Sequence, residues 1–223
     1  MNTTHACAAL AATFALGSTV LGSVIQSESF ETYTVGDGSF VDANEESHWL
    51  ANYDSHTVVG DNWTVWFEST GGTGLSDGDY LGVSDYTGGG IGAYTDGSQG
   101  YQMGDTDGMI TITFEAVAGA TGVSLDLFVR STGWENTDLI SISFGGTSLI
   151  DTTGQDIDND YAELEANWTS LSAEGSGELV IMFASNSSTE TMAIDNIQWT
   201  GVPAPGALAL LGLAGLASRR RRR

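Results

Sequence analysis

Lysine is absent from this 223-residue chain, and arginine is confined to Arg130 and a terminal run, Arg219, Arg220, Arg221, Arg222 and Arg223. Against these six basic residues stand 29 acidic ones, a formal net charge of −23, and all 29 fall between Glu28 and Asp195. A body this acidic repels phosphate backbones, which excludes nucleic-acid binding through a basic surface. Schiff-base catalysis lacks its lysine. Cysteine occurs once, as Cys7 in an apolar leader, so the body has no means of building disulfides, CxxC redox centres or thiolate metal sites. Beyond the leader the histidines are His48 and His56, too few for a three-histidine zinc site, and no G-x-S-x-G elbow occurs. Nothing in the composition implies an organic cofactor. The length suits one domain with short appendages.

The ends of the chain differ from its middle. Residues 6–25 are uncharged and apolar and run into the polar stretch Gln26-Ser27-Glu28-Ser29, the shape of a secretory h-region cut between about Gly22 and Ser27. The alternative is a buried N-terminal helix. Both prolines, Pro203 and Pro205, flank Ala204 and precede twelve apolar residues, Gly206 to Ala217, then Ser218 and the five arginines. As a helix those twelve residues reach about 18 Å, short of a hydrocarbon core of about 30 Å unless their flanks contribute. The arginines would stay on the cytoplasmic side. The expected division is a signal peptide at 1–26, a β-sandwich at 27–201 and a tail at 202–223.

Pro-x-Pro, a short apolar helix and a terminal arginine block together resemble the PEP-CTERM sorting signal, with Ala204 standing where that family usually has glutamate. The resemblance implies export, transient retention in the inner membrane through the C-terminal helix, and processing by an exosortase-like membrane enzyme. Release to the cell surface, outer membrane or extracellular matrix would follow. A plain C-terminal membrane anchor is the alternative.

Between the two ends, apolar residues alternate with polar ones at period two: Ile110, Ile112 and Phe114; Val123, Leu125, Leu127 and Val129; Ile140, Ile142 and Phe144. That is the pattern of strands with one wet face and one face on a core. Further strands are expected over 29–34, 63–68, 80–84, 162–171, 179–184 and 193–200, separated by Gly-, Asp- and Ser-rich turns. Their number and spacing predict an all-β fold, a two-sheet antiparallel sandwich of jelly-roll type flanked by the signal helix and the C-terminal hydrophobic helix. Ser29-Phe30-Glu31 and Ala193-Ile194-Asp195-Asn196-Ile197 resemble the end strands of lectin-like and carbohydrate-binding-module jelly rolls. That resemblance implies Glu31 and Asp195 as calcium ligands.

Calcium takes six to eight oxygen ligands, and the run Asp156-x-Asp158-x-Asp160 supplies three, although Tyr161 and Asn167 stand where an EF-hand needs glycine and glutamate. Asp105-x-Asp107 and Asp77-Gly78-Asp79 are shorter runs; solvated turns explain all three equally well. Strict alternation would put Asp195 on the core face with Ile197 and Trp199, a costly place for a lone carboxylate. A metal, a cluster of backbone N–H groups or a bulge would relieve it. Trp49, Tyr86, Tyr94 and Trp134 fall in polar, glycine-rich loops, and Trp66 alternates out of phase with Trp63, Val65 and Phe67. Flat exposed rings of this kind stack on pyranoses, whereas Trp63 and Trp199 read as core.

The function expected from these features is non-catalytic: an exported glycan-binding or matrix-structural sandwich whose partner is an extracellular polysaccharide. The alternative is a polysaccharide hydrolase or lyase working through a carboxylate pair, for which Glu135 and Asp138 are a candidate. The acidity fits a surface kept hydrated in salty water, or a polyanion that recruits divalent cations.

Overall fold

The computed structural model describes residues 22–35, 55–59, 62–69, 80–130, 133–187 and 189–201. These form twelve strands: β1 (Ser23–Glu28), β2 (Ser55–Val59), β3 (Trp63–Ser69), β4 (Tyr80–Ser84), β5 (Gly100–Gly104), β6 (Gly108–Phe114), β7 (Ala120–Val129), β8 (Leu139–Phe144), β9 (Thr147–Asp151), β10 (Trp168–Glu174), β11 (Leu179–Ala184) and β12 (Thr191–Gly201). One helical turn, α1 (Ile157–Asp160), precedes a 3-10 turn at Ala162–Leu164. All strand pairings are antiparallel.

The first sheet runs β10-β7-β12-β5-β4, with β1 also on β12, and the second runs β2-β3-β6-β11-β8-β9. From β5 onward the chain crosses between sheets at every connection except β8–β9. The order 5-12-7-10 therefore faces 6-11-8-9, the arrangement of an eight-stranded jelly roll. β1 and β4 widen the first sheet and β2 and β3 the second. The expected sandwich is what the chain forms.

Alternation explains the strands that the sequence shows most clearly: β6 reads buried at every second residue from Gly108 to Phe114, and β8 and β11 follow the same rhythm. Elsewhere local chemistry shifts the boundaries. The strand expected over 29–34 lies at 23–28 instead, because the Glu28 carboxylate accepts the Phe30 N–H at 2.7 Å and Phe30 turns the chain at φ 62°. Only the end of the expected 162–171 strand forms, as β10, after the 3-10 turn and Ala166 at φ 59°. β1 spans the expected 26/27 boundary, and Ser23 pairs with Gly201, so the chain enters and leaves the sandwich side by side. Residues 1–21 and the tail, including Pro203, Ala204, Pro205 and Arg219, Arg220, Arg221, Arg222 and Arg223, lie outside the described residues.

Trp63 knits the two sheets at the core. Its ring stacks on Phe114 at 5.4 Å and meets Phe30, Tyr33 and Tyr101 edge-on at 5.5–5.7 Å. Its indole N–H donates to the Tyr33 hydroxyl at 3.0 Å, and that hydroxyl donates to Glu28 at 3.1 Å. Trp63→Ala removes the largest part of this cluster and strands the hydroxyl relay. It should lower the unfolding free energy by about 3–5 kcal/mol in denaturant titration; a loss below about 1 kcal/mol would contradict this packing role.

Candidate functional site

The outer faces of the two sheets differ. Over the first sheet folds the β4–β5 loop, 85–99, where Ile91 and Tyr94 pack on Phe128, Ala193 and Trp168 as a second small core. Tyr94 donates its hydroxyl to the Tyr86 carbonyl at 3.2 Å, its ring lies 5.7 Å from Trp168, and burial pushes its hydroxyl up to about 12. Gly100 makes room for that ring: a Cβ there would stand 2.6 Å from it and 2.7 Å from the Ile194 carbonyl.

Two carboxylates hold the loop down. In β12 the register gains a residue between Asp195 and Gln198, with Asn196 at φ 51°, and this bulge turns Asp195 away from the core face that holds Ile194, Ile197 and Trp199. Asp195 Oδ2 accepts the Thr95 and Asp96 amides at 2.8 Å and the Thr95 hydroxyl at 3.1 Å, and Oδ1 accepts the Asn196 amide at 2.7 Å. Burial still leaves its carboxyl above the ordinary value. Glu31 accepts the Ser98 and Gln99 amides at 2.7 and 2.8 Å, and the Ser98 amide leads in holding it below the ordinary value. Two of the three ways to accommodate Asp195, amide donors and a bulge, thus occur together. Glu31 and Asp195 converge on one loop, each held by amide and hydroxyl donors.

The Asp156, Asp158 and Asp160 run also works locally. Asp156 caps α1, accepting from the Asn159 amide at 3.1 Å, and Asp160 accepts the Asp156 amide at 3.1 Å. Asp158 turns elsewhere: Oδ2 accepts the Gly133 amide at 3.0 Å, while Oδ1 is buried without a partner. Among the described residues, the carboxylates close enough to share one cation are instead Glu135, Asp138 and Glu190, with one oxygen of each within 4.8 Å of the others. Glu135 and Asp138 are adjacent in the β7–β8 loop. Glu190 arrives from the β11–β12 loop, a neighbour that only topology supplies.

The loops β5–β6, β7–β8, β9–β10 and β11–β12 gather at this end, opposite the Ser23–Gly201 exit. Asp107 donates its amide to the Ser185 carbonyl at 3.0 Å, and Asn186 bonds both Glu190, through its amide at 3.0 Å, and Asp138, through its side chain at 3.4 Å. Between these loops opens a cavity of about 440 Å³, lined in part by Asp107, Asn136, Asp138, Thr153 and Asn186. Its floor includes Met109, Leu139 and Ala184, on the outer face of the second sheet.

That face continues to Trp66. Trp66 stands opposite Thr111, Thr111 opposite Met182, and Met182 opposite Ser141 across β3, β6, β11 and β8, each of the last three half-buried. Trp66 is 42% exposed while Trp63, Val65 and Phe67 are buried, as its phase requires. Tyr86 is 56% exposed at the rim of the covering loop. Tyr94 and Trp134 are corrections, being 6% and 2% exposed. Tyr94 is consumed by the second small core. Trp134 donates its N–H to the Arg130 carbonyl at 2.6 Å and sets its ring edge-on to Phe183 at 6.0 Å. Trp49 lies outside the described residues.

Burial, with the charges of Glu135 and Asp158 added, raises Asp138 to about 6; burial, with Asp138, Glu135 and Asp105, raises Glu190 to about 7. In the unfolded chain these groups release their protons near 3.8 and 4.5. Between those values and about 7 the folded state holds more protons, so stability is highest on the acid side and falls as pH rises. In a chelating buffer the Tm should therefore drop from pH 5 to pH 8 and the drop should shrink in Glu190→Gln. A Tm that is flat or rises over this range would contradict the burial of the two groups.

No family model matches the sequence, and no curated protein matches it. Among solved structures, the K2 cleaved adhesin domain of Lys-gingipain is similar at TM-score 0.42 and 14% identity, covering 79% of this chain and 98% of that one. TmCBM61, determined with β-1,4-galactotriose, is similar at TM-score 0.36 and 13% identity, over 63% of this chain and 88% of that one. The family 11 carbohydrate-binding module from Clostridium thermocellum, determined with a mixed-linked tetrasaccharide, is similar at TM-score 0.33 and 13% identity, over 70% and 95%.

Proposed function

We propose that the sandwich is an exported, non-catalytic glycan-binding module that takes a polysaccharide along the outer face of its second sheet. The observation that carries this reading is Trp66, a flat ring 42% exposed on the outer face of the second sheet. The half-buried Thr111, Met182 and Ser141 continue that face, and the cavity adjoins it. An aromatic plate covers the apolar face of a pyranose, and neighbouring hydroxyls take its ring oxygens and OH groups. Trp66→Ala in the full-length chain should weaken retardation in gels containing neutral polysaccharides by about tenfold, because burying one face of an aromatic ring contributes on the order of 1–2 kcal/mol. Equal retardation of both proteins, or none by any polymer, would overturn the reading.

Calcium is the cation that Glu135, Asp138 and Glu190 would take, since three clustered carboxylates are hard oxygen ligands whose mutual repulsion a divalent ion relieves. Calcium should then raise the Tm at pH 7.5 in the wild-type chain and not in Glu190→Gln; an equal rise in both, or none, would remove the trio from consideration. The same trio supports a second reading as a polysaccharide hydrolase or lyase, because Asp138 and Glu190, raised to about 6 and 7, include a group able to donate a proton near neutrality. Release of reducing ends that is lost in Glu190→Gln would decide for that reading.

Export, retention and exosortase-like processing rest on the leader and on the tail at 202–223. The fold adds a constraint on the leader: β1 begins at Ser23 and pairs along β12, so a cut that preserves it falls at or before Gly22. N-terminal sequencing of the exported protein should read from Ser23 or earlier. A start at Ser27 would leave two β1 residues.

A further inference from the structure

Arg130 is the one cation among the described residues, and there its guanidinium makes no ion pair and no hydrogen bond. In a body with 29 carboxylates this is unexpected, because a carboxylate is the natural partner of a guanidinium. Its backbone is nonetheless fixed: the N–H donates to the Thr191 carbonyl at 2.9 Å and the carbonyl accepts the Trp134 indole at 2.6 Å.

Two residues beyond Phe128, the half-buried side chain of Arg130 lies against Gly89 of the covering loop. A Cβ on Gly89 would stand 3.6 Å from its Cζ and Nε and 3.7 Å from Nη1. Tyr86, 56% exposed, lies across the preceding glycine, where a Cβ on Gly88 would stand 2.1 Å from its hydroxyl. A phenol and an unpaired guanidinium thus border successive residues of a floor that carries no side chains. The chain that follows this floor is anchored by the Trp168 indole, which donates to the Ile91 carbonyl at 3.0 Å, and then by the Asp195 and Glu31 clamps.

We propose that Arg130 and Tyr86 form a subsite for an acidic sugar unit, a uronate whose carboxylate bonds the guanidinium while its ring lies against the phenol. The planar fork of arginine matches a carboxylate in two parallel hydrogen bonds, a geometry that no described residue offers it. The missing side chain of Gly88 leaves the room that the Tyr86 phenol takes. The negative surface elsewhere opposes a polyanion only over about one Debye length, about 8 Å at physiological salt. The subsite lies on the first sheet's side of the molecule and uses none of the residues of the Trp66 face; it rests on the reading that this body binds saccharides.

The test is retardation of the full-length chain in gels containing polygalacturonate or its carboxyl-reduced form, in a chelating buffer at low and high salt. Polygalacturonate should retard the wild-type chain, the reduced polymer should not, and high salt should weaken the effect. Arg130→Gln should weaken binding by about tenfold or more, as expected for a lost charge-assisted pair, with Arg130→Lys intermediate. Tyr86→Ala should weaken it by a smaller factor and Trp66→Ala should leave it unchanged, which separates this subsite from the face tested with neutral polymers. Thermal melts confirm that each variant is folded. No retardation by polygalacturonate, equal retardation of wild type and Arg130→Gln, equal retardation by the reduced polymer, or retardation only with added calcium would each overturn the proposal.

Discussion

Carboxylates in this sandwich are held by amide and hydroxyl donors, because the body has almost no cations to hold them. Asp195 illustrates the constraint: a charge with no basic partner is removed from the core face by a bulge and given three backbone N–H groups and a hydroxyl. Across the ladder, burial pushes Asp126 up, and bonds from Ser170, Asn196 and Thr95 more than offset it, leaving the carboxyl below its ordinary value. Glu28, Glu31 and Asp156 do the same work at a turn, a loop and a helix start. Each donor set orders a stretch of chain, so the acids act as loop anchors rather than as halves of salt bridges.

That economy makes the two sheets unequal. Asp195 and Glu31 fasten residues 95–99 over the first sheet, which lets Ile91 and Tyr94 form a second small core on its outer face. The second sheet has no comparable cover among the described residues, and its outer face retains Trp66 beside Thr111. The jelly-roll order sends the β5–β6, β7–β8, β9–β10 and β11–β12 loops to one end and the Ser23–Gly201 exit to the other. The cavity therefore lies at the end remote from the Ser23–Gly201 exit.

Much of the fold was legible in alternation. β6, β7 and β8 each carry apolar residues at period two, β11 is a short run apolar throughout, and the out-of-phase position of Trp66 followed from the same count. β5 was not legible, because Gly-Tyr-Gln-Met-Gly is buried on both faces and shows no contrast between them. β2 and β9 are short strands of mixed polarity. Loop position misled for Tyr94 and Trp134, since a loop that folds back on a sheet buries its aromatics as a strand does. The acid pair of the 134–138 segment was visible in sequence. Glu190, 52 residues after Asp138, was not, because its approach depends on β11 and β12 crossing between sheets.

The loop end is where the donors run short. Asp195 alone receives four bonds, whereas Glu190 is buried on a single amide from Asn186, with Asp138 and Glu135 as charged neighbours. Asp138 is buried too, on the Glu135 amide at 2.6 Å and the longer Asn186 contact. Desolvation disfavours the ionised form of both, and like charges add to it, so the shortage is met by retained protons. Glu31 and Asp126, with more donors, are held below their ordinary values, whereas Asp138 and Glu190, with fewer, become titratable near neutrality. The difference arises from the balance between the burial of each carboxylate and the N–H and O–H groups aimed at it; at Asp195 burial outweighs even four bonds.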